Sequence, residues 1–290
     1  MSDANQTGTG IVASLWRYPV KSMRGEELNS VQVSAHGLFG DRVYALLDRA
    51  DGKVATAKNP RKWPNLFAFR AALTGPSAHN ANLRFLRITL PDGTVVSGDR
   101  SDVNEVLSEA LHRQVTLAAA QADHATEAQS SMSAAGIRQA EEYWPDIEGL
   151  DHRETVTDFT LPKGTFFDCA TIHLLTTATL DCLRNLYPEG QFDVPRFRPN
   201  IVVEPEGGEA TFAENSWVGQ TLAIGDEVQL SIMEPCGRCA MTTLAQEELP
   251  QDANILRTAV RYNQAQVGVY AAVVRGGTIH CGDTVSVRGV

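Results

Sequence analysis

The sequence predicts a mostly β protein with a few helices, of the β-barrel type, and three observations carry that expectation. Short apolar runs recur between clusters of Gly, Pro, Asn and Asp, the pattern of strands and turns. Helical spacing is confined to short stretches. No regular alternation of strands with long helices, as a βαβ fold requires, runs through the chain.

Residues 11–18 read as a strand that Pro19 ends, and Val20-Lys21-Ser22-Met23-Arg24-Gly25 puts cations and a hydroxyl in a tight connection. Val31 and Val33 suggest a second strand. Gly37-Leu38-Phe39-Gly40-Asp41-Arg42 then leads into an apolar strand over 43–47, and Asp51-Gly52 turns the chain back toward Val54. Strands follow over 67–73, 83–90 and 94–97, the last two joined by Pro91-Asp92-Gly93. Ser101 is placed to cap a helix through Val103, Val106, Leu107, Ala110 and Leu111, and 115–118 forms a further strand. Residues 119–149 are rich in Ala, Gln, Ser and Glu and read as a linker with some helix.

In the second half, Phe166-Phe167-Asp168 precedes a strand over 172–175. A helix over 179–187 comes next, capped by Thr176 or Thr177 and ended by Pro188 and Gly190. Arg196-Phe197-Arg198-Pro199-Asn200 leads into a strand over 201–203. Further strands are expected over 221–224, 228–233, 267–274 and 284–287, the second of these running into a turn at Pro235 and Gly237. The expected organisation is a first β-barrel domain over 11–118, a linker over 119–150 and a second domain over 151–290.

At 290 residues the chain is long enough for two cores, and its net charge of −10 argues against non-specific binding to nucleic acid or an anionic membrane surface. The N-terminus lacks the basic-then-apolar layout of a secretory signal, and no apolar run is long enough to cross a bilayer. Five cysteines do not make a disulfide framework, so a reducing cytoplasm is expected, with Cys169, Cys182 and Cys281 as small buried hydrophobes.

Chemistry concentrates in Glu234-Pro235-Cys236-Gly237-Arg238-Cys239-Ala240-Met241-Thr242-Thr243, where a strand delivers two thiols and a guanidinium to the rim of a sheet. A nearby cation favours the thiolate, the form that attacks and ligates. An exposed turn and a Cys-x-x-Cys redox pair remain alternatives at this point. A structural zinc site lacks a second ligand pair, a thioredoxin-like site lacks its βαβ setting, and an iron–sulfur cluster lacks its cysteines. His173, between Ile172 and Leu174, reads as a satisfied structural residue. Residues 53–62 hold Lys53, Lys58, Arg61 and Lys62 with no acid among them, and by themselves read as a solvated loop. Joined with Lys21, Arg24 and Arg42, they would make an anion-binding wall. A soft thiolate with dispersed cations suits a cofactor that pairs a soft metal with an anionic tail.

Four motifs in order make this reading specific: Tyr18-Pro19-Val20-Lys21-Ser22, Gly40-Asp41-Arg42, Phe197-Arg198-Pro199-Asn200 and Cys236-Gly237-Arg238-Cys239-Ala240-Met241-Thr242-Thr243. With them the chain resembles, from about Ile11 to Val290, MOSC-domain proteins that carry an N-terminal MOSC β-barrel domain. That group includes the mitochondrial amidoxime-reducing component family and its bacterial relatives. The resemblance implies an N-terminal MOSC β-barrel domain followed by a MOSC β-barrel domain, with the molybdenum cofactor between them. It implies Cys239 as the molybdenum ligand, with Cys236 an outer neighbour, and Lys21, Ser22, Arg42, Arg198 and Asn200 around the phosphate and pterin. Asp168 matches an acidic position near the metal, with a role in proton delivery or in positioning water.

Two departures stand out. Leu244-Ala245-Gln246 comes after Thr243 where the family commonly has Val-Asp-Pro, and the chain ends at Val290 without an iron–sulfur domain. The resemblance therefore implies a small-molecule substrate and a separate electron-transfer partner. The leading expectation is a cytoplasmic molybdenum-dependent reductase of N-hydroxylated compounds. The alternative is a carrier of cofactor or sulfur, with Cys239 as the carrying thiol.

Overall fold

The computed structural model describes residues 8–75, 82–120 and 138–288. Seven strands close into a barrel, in the spatial order Gly8–Arg17, Ile201–Pro205, Ile172–Thr176, Gln266–Arg275, Val228–Gly237, Thr221–Ile224 and Thr284–Arg288, which returns to Gly8–Arg17. Neighbours are antiparallel except Ile172–Thr176 beside Ile201–Pro205. Parallel neighbours need a crossover, and the helix Thr177–Leu186 lies on it, capped by the Thr176 hydroxyl, which accepts from the Thr179 amide. The barrel core is continuous across both halves of the sequence, because Val12 and Leu15 pack with Leu174, Ile201, Leu230, Val269 and Val285.

The strand Gly8–Arg17 thus pairs into the barrel with strands of the second half of the chain. Ser30–Ser34 comes after it in the chain, pairing with Gly277–His280 and with Gly37–Leu38. A one-dimensional reading sees each strand but not its partner, and Gly8–Arg17 pairs about 190 positions away in sequence.

The first half has its own core around Tyr44, Leu46, Phe69, Leu86, Ile88 and Leu107. Tyr44–Asp48 pairs with Val115–Ala119, and Arg70–Leu73, Leu86–Thr89 and Val95–Ser97 form a meander. The helix Val103–Leu111 starts after Asp102 without a side-chain cap, so Ser101 does not serve there. Part of the expected linker, residues 121–137, lies outside the described residues. Beyond it the chain forms a strand rather than a helix, Gln139–Trp144, paired with Thr155–Thr160.

That hairpin explains the basic segment. Lys53 bonds Glu141 at 2.9 Å and Asp158 at 2.7 Å, Arg61 bonds Glu154 at 2.6 Å, and Asn59 bonds Glu141 at 3.0 Å. Lys62 makes its shortest contact to Asp51, at 2.6 Å. The segment is a basic edge matched by an acidic hairpin, not a free solvated loop. The sequence reading also passed over the helix Asn254–Asn263, whose Ile255, Leu256 and Ala259 are buried.

Because the barrel needs Gly8–Arg17, a chain reduced to residues 151–290 is expected to give no cooperative urea transition. The same chain with residues 8–38 joined in front is expected to regain one, monitored by circular dichroism. A cooperative transition in the shorter chain would show that six strands suffice. Within the full chain, Leu15→Ala should cost about 2–5 kcal/mol, as for other buried leucines.

Candidate cofactor site

The strand Val228–Gly237 does not turn at Pro235. Its register against Gln266–Arg275 shifts near its end, between Ile232 and Glu234 and again between Pro235 and Gly237. Such irregularities absorb a residue that cannot donate to the ladder and re-aim the side chains beyond it. Cys236 is therefore still on the strand and buried, while Cys239 lies just past it, extended, before a short 3-10 turn over Ala240–Thr243.

One cavity at the junction of the halves is lined by every residue that the resemblance implies for the cofactor. Lys21, Ser22 and Arg42 reach it from the first half, and Asp168, Arg198, Asn200 and Cys239 from the second. Lys58, His173, Cys236, Arg238 and Tyr270 line it too.

Two arginines of the lining share an aromatic ring. The guanidinium carbons of Arg42 and Arg198 lie 5.1 and 4.2 Å from the Tyr18 ring centre. Both residues hold left-handed backbone, φ 50° and 54°, which persists where the surroundings over-determine it. Arg198 donates to the Met23 carbonyl at 2.7 Å, and Arg42 pairs with the buried Asp41. Burial, aided by the repulsion of Arg42, pulls Arg198 down to about 10. For Arg42 burial acts in the same direction, but Asp41, with Tyr18 and Asp168, outweighs it and raises the pKa. Ser22, also left-handed, accepts from the Ala57 amide at 3.0 Å and keeps its hydroxyl proton to donate. Asn200 accepts from the His173 amide at 3.1 Å and donates to Asp41 at 3.0 Å and to the Trp16 carbonyl at 3.3 Å. Its amide is engaged within the protein, so what it offers the cavity is the placement of Asp41 and, through it, of Arg42.

Elsewhere on the lining, Lys21 donates to the Phe166 carbonyl at 2.8 Å and pairs with one oxygen of Asp168, and Lys58 stands 3.5 Å from the other oxygen. Burial would raise the Asp168 pKa, but Lys21 and Lys58 outweigh it and hold the carboxyl well below its ordinary range. A carboxylate so held accepts hydrogen bonds; it does not deliver a proton near neutrality. Of the two expected roles, positioning is the one the geometry favours. Burial lowers Lys21 to about 8 against the pull of Asp168.

The two thiols differ. Arg238 donates to the Cys236 sulfur at 2.8 Å and to the Phe197 carbonyl at 2.7 Å. Burial alone would raise Cys236, but Arg238 and His173 bring it down to about 6. Burial pushes Cys239 up to about 12, with Glu142 adding and Lys58 opposing. The cation in the motif therefore serves Cys236 chiefly, not both thiols. His173 contacts the Val267 carbonyl at 3.2 Å through Nε2, consistent with a structural residue, yet it also lines this cavity. The lone cysteines depart from expectation: Cys169 and Cys281 are exposed and Cys182 is half-buried. Sequence reasoning missed Lys58 as a site residue, and the reversal of sign over 53–62 was the signal that pointed toward it.

The fold and this site define a two-domain protein with a polar cleft between a first β unit and a closed barrel. Residues 9–136 match the MOSC N-terminal beta barrel domain and residues 162–286 match the MOSC domain. Together these matches span most of the chain, which belongs to the MOSC-domain proteins with an N-terminal MOSC barrel. It is 27% identical over 299 residues to mitochondrial amidoxime-reducing component 1 of Mus musculus, covering 97% of this chain and 83% of that one. The Homo sapiens protein of the same name is 27% identical over 304 residues, with the same coverage. Among solved structures, the YUAD protein from Bacillus subtilis aligns over 97% of both chains at 11% identity with a TM-score of 0.47, too loose a likeness to add to the argument.

The thiol assignment is open to titration. Ultraviolet thiolate absorbance of the cofactor-free protein should show one thiol ionising near pH 6, absent in Cys236→Ser. Since that pKa lies below the ordinary thiol value of 9.0, the associated stability is absent below about pH 6, grows between 6 and 9 and is complete above. The melting temperature of the wild type should therefore gain on that of Cys236→Ser over this window. Parallel curves for the two proteins would refute the assignment.

Proposed function

We propose that this protein is a molybdenum-cofactor oxidoreductase that reduces N-hydroxylated compounds, such as amidoximes or N-hydroxylated bases, with electrons from a separate donor. The observation that carries the reading is the convergence of the Cys239 thiol with five cationic side chains, Lys21, Arg42, Lys58, Arg198 and Arg238, in one cavity lined by a single carboxylate, Asp168. The names of the amidoxime-reducing relatives support it.

The donor set fits the cofactor on its own chemistry. A pterin dithiolene with a phosphate tail needs cations with few counter-charges, and this cavity has them. The Arg238 Nε is buried with no partner, a donor left for a ligand. Among the described residues no group of three or more His, Cys, Asp or Glu is arranged to hold a metal ion. A single cysteine is enough where the cofactor brings sulfur donors of its own.

When bound, the cofactor supplies two-electron chemistry at a sulfur-ligated molybdenum. Cys239, a neutral thiol in the free protein, would give up its proton on ligation and supply the metal with a soft thiolate. Arg42 and Arg198, fixed against Tyr18, would hold the phosphate, and Ser22 would donate to it. Asp168 accepts a hydrogen bond from the substrate N–H or from water and orients it. Lys21, at about 8, holds a proton beside Asp168 that it can release near neutrality. The overall change breaks the N–O bond, takes up two electrons and two protons, and releases water.

Metal analysis of protein from a molybdenum-replete host, with turnover of an amidoxime by an artificial reductant, tests this reading. Cys239→Ser should lose molybdenum, since an alcohol is the harder and weaker ligand, and Cys236→Ser should lose less. Arg42→Ala and Arg198→Ala should each weaken cofactor retention by about 2–5 kcal/mol, seen as less extractable pterin in folded protein. Equal molybdenum in wild type and Cys239→Ser would remove Cys239 as the ligand. Stoichiometric molybdenum without turnover would favour a carrier of cofactor or sulfur.

A further inference from the structure

Four cations come from residues 53–62, and three of them are spent on short bonds to carboxylates. Lys53 has contacts of 2.7 and 2.9 Å, Arg61 one of 2.6 Å and Lys62 one of 2.6 Å. Lys58 differs. Its ammonium has Glu142 at 3.4 Å and Asp168 at 3.5 Å, both long for a charge-assisted hydrogen bond of about 2.7–2.9 Å. The side chain is 17% exposed and lines the cavity together with Cys239. Its direction is set from outside: the Phe159 ring centre lies 4.7 Å from Nζ, and the Tyr143 amide donates to the Lys58 carbonyl at 2.9 Å. The paired hairpin Gln139–Trp144 and Thr155–Thr160 thus aims one ammonium inward while neutralising its neighbours.

From this arrangement we infer that Lys58 is a substrate-binding residue at the Cys239 end of the cavity, donating to the reacting oxygen of the substrate and favouring an oxygen that carries negative charge. Two features support a ligand here rather than a purely structural tie. Both oxygens of Asp168 already have a lysine, Lys21 on one and Lys58 on the other, and only the Lys21 contact is short. Arg42 and Arg198 are held against Tyr18, and Arg42 by Asp41, contacts in which Lys58 has no part. The carboxylates of Glu142 and Asp168, on two sides of the Lys58 ammonium, favour its charged form. An ammonium bond to an anionic oxygen is roughly twice as strong as one between neutral groups. The inference rests on the reductase reading for the identity of the ligand, and it names the class preferred: acidic N-hydroxy compounds such as hydroxamates, over neutral amidoximes.

Two measurements test it, one of them without turnover. Inorganic phosphate, as an oxyanion probe, is titrated calorimetrically into cofactor-free full-length protein carrying both Arg42→Ala and Arg198→Ala, which removes the two arginines assigned to the cofactor phosphate. Adding Lys58→Gln should weaken the remaining phosphate binding at least about fivefold, and Lys58→Arg in its place should restore it. Equal affinity with and without Lys58→Gln, in proteins of matched melting temperature, overturns the inference. In the molybdenum-loaded enzyme, the ratio of kcat/KM for benzhydroxamate to that for benzamidoxime should fall about tenfold in Lys58→Gln, through KM for the hydroxamate, at unchanged molybdenum content. An equal loss on both substrates would make Lys58 a support for Asp168 and overturn the substrate role. If the wild type holds no molybdenum or reduces neither compound, the reductase reading fails, and the phosphate titration still decides whether Lys58 binds an oxyanion.

Discussion

Barrel closure by the N-terminal strand is the constraint on which the site depends. Gly8–Arg17 pairs with Ile201–Pro205 on one side and Thr284–Arg288 on the other, so the ring cannot close without it. The chain then leaves the barrel at Tyr18, whose amide is held by Asp41 at 2.7 Å, and delivers Lys21 and Ser22 to the cavity. Two residues before Tyr18, the Trp16 amide donates to the Asn200 carbonyl at 2.9 Å, close in sequence to Arg198. The first half is therefore an excursion that begins and ends at the barrel rim, and both ends of the excursion carry site residues. A cleft between two β units results from this path, and clefts at such junctions are common ligand sites.

Charge makes the cleft suited to an anion. Burying cations without counter-charges is unfavourable, and the chain offsets it only in part. Asp41 pairs with Arg42 and Asp168 with Lys21, whereas Arg198 relies on carbonyl and aromatic contacts, with Tyr18 at 4.2 Å and Phe67 at 5.5 Å. Its depressed pKa, about 10, records that incomplete compensation. An arriving phosphate would complete the pairing, and binding to the native state alone would add stability by mass action. The net charge of −10 is carried elsewhere, part of it on the hairpin that meets residues 53–62.

Much of this was legible in the residues themselves, for reasons that differ between elements. Strands such as Thr221–Ile224 and Ile172–Thr176 show because buried runs between turns are local signals. Lys21, Arg42, Arg198 and Cys239 show through ordered motifs that fix residue type at turns and strand ends. The partner of Gly8–Arg17 does not show, because pairing across the chain leaves no local trace. Nor does the inward aim of Lys58: in sequence it is one of four cations, and only the distant Glu142 and Phe159 separate it from Lys53. The unequal thiols were hidden likewise, since Arg238 is adjacent to Cys239 in sequence yet bonds Cys236.

The departure after Thr243 has a physical answer in Arg196. This side chain is fully buried, and its contacts are to carbonyls: Gln191 at 2.7 Å, Thr242 at 3.3 Å, Leu244 at 3.2 Å and Pro250 at 2.8 Å. Three of those four lie in the segment just after Cys239. A clamp that grips backbone oxygens does not depend on the side chain at Leu244, and Gln246 adds an amide hydrogen bond to the Leu249 carbonyl at 2.9 Å that a proline cannot make. Thr242 and Thr243 tighten the same segment by donating to the Cys239 carbonyl at 3.0 Å and the Ala240 carbonyl at 2.8 Å. The position of Cys239 is thus set from both sides, by the irregular end of Val228–Gly237 before it and by Arg196 behind it. Since Arg196 and Arg198 flank Phe197, one short segment both braces the thiol's loop and reaches across the cleft to Met23.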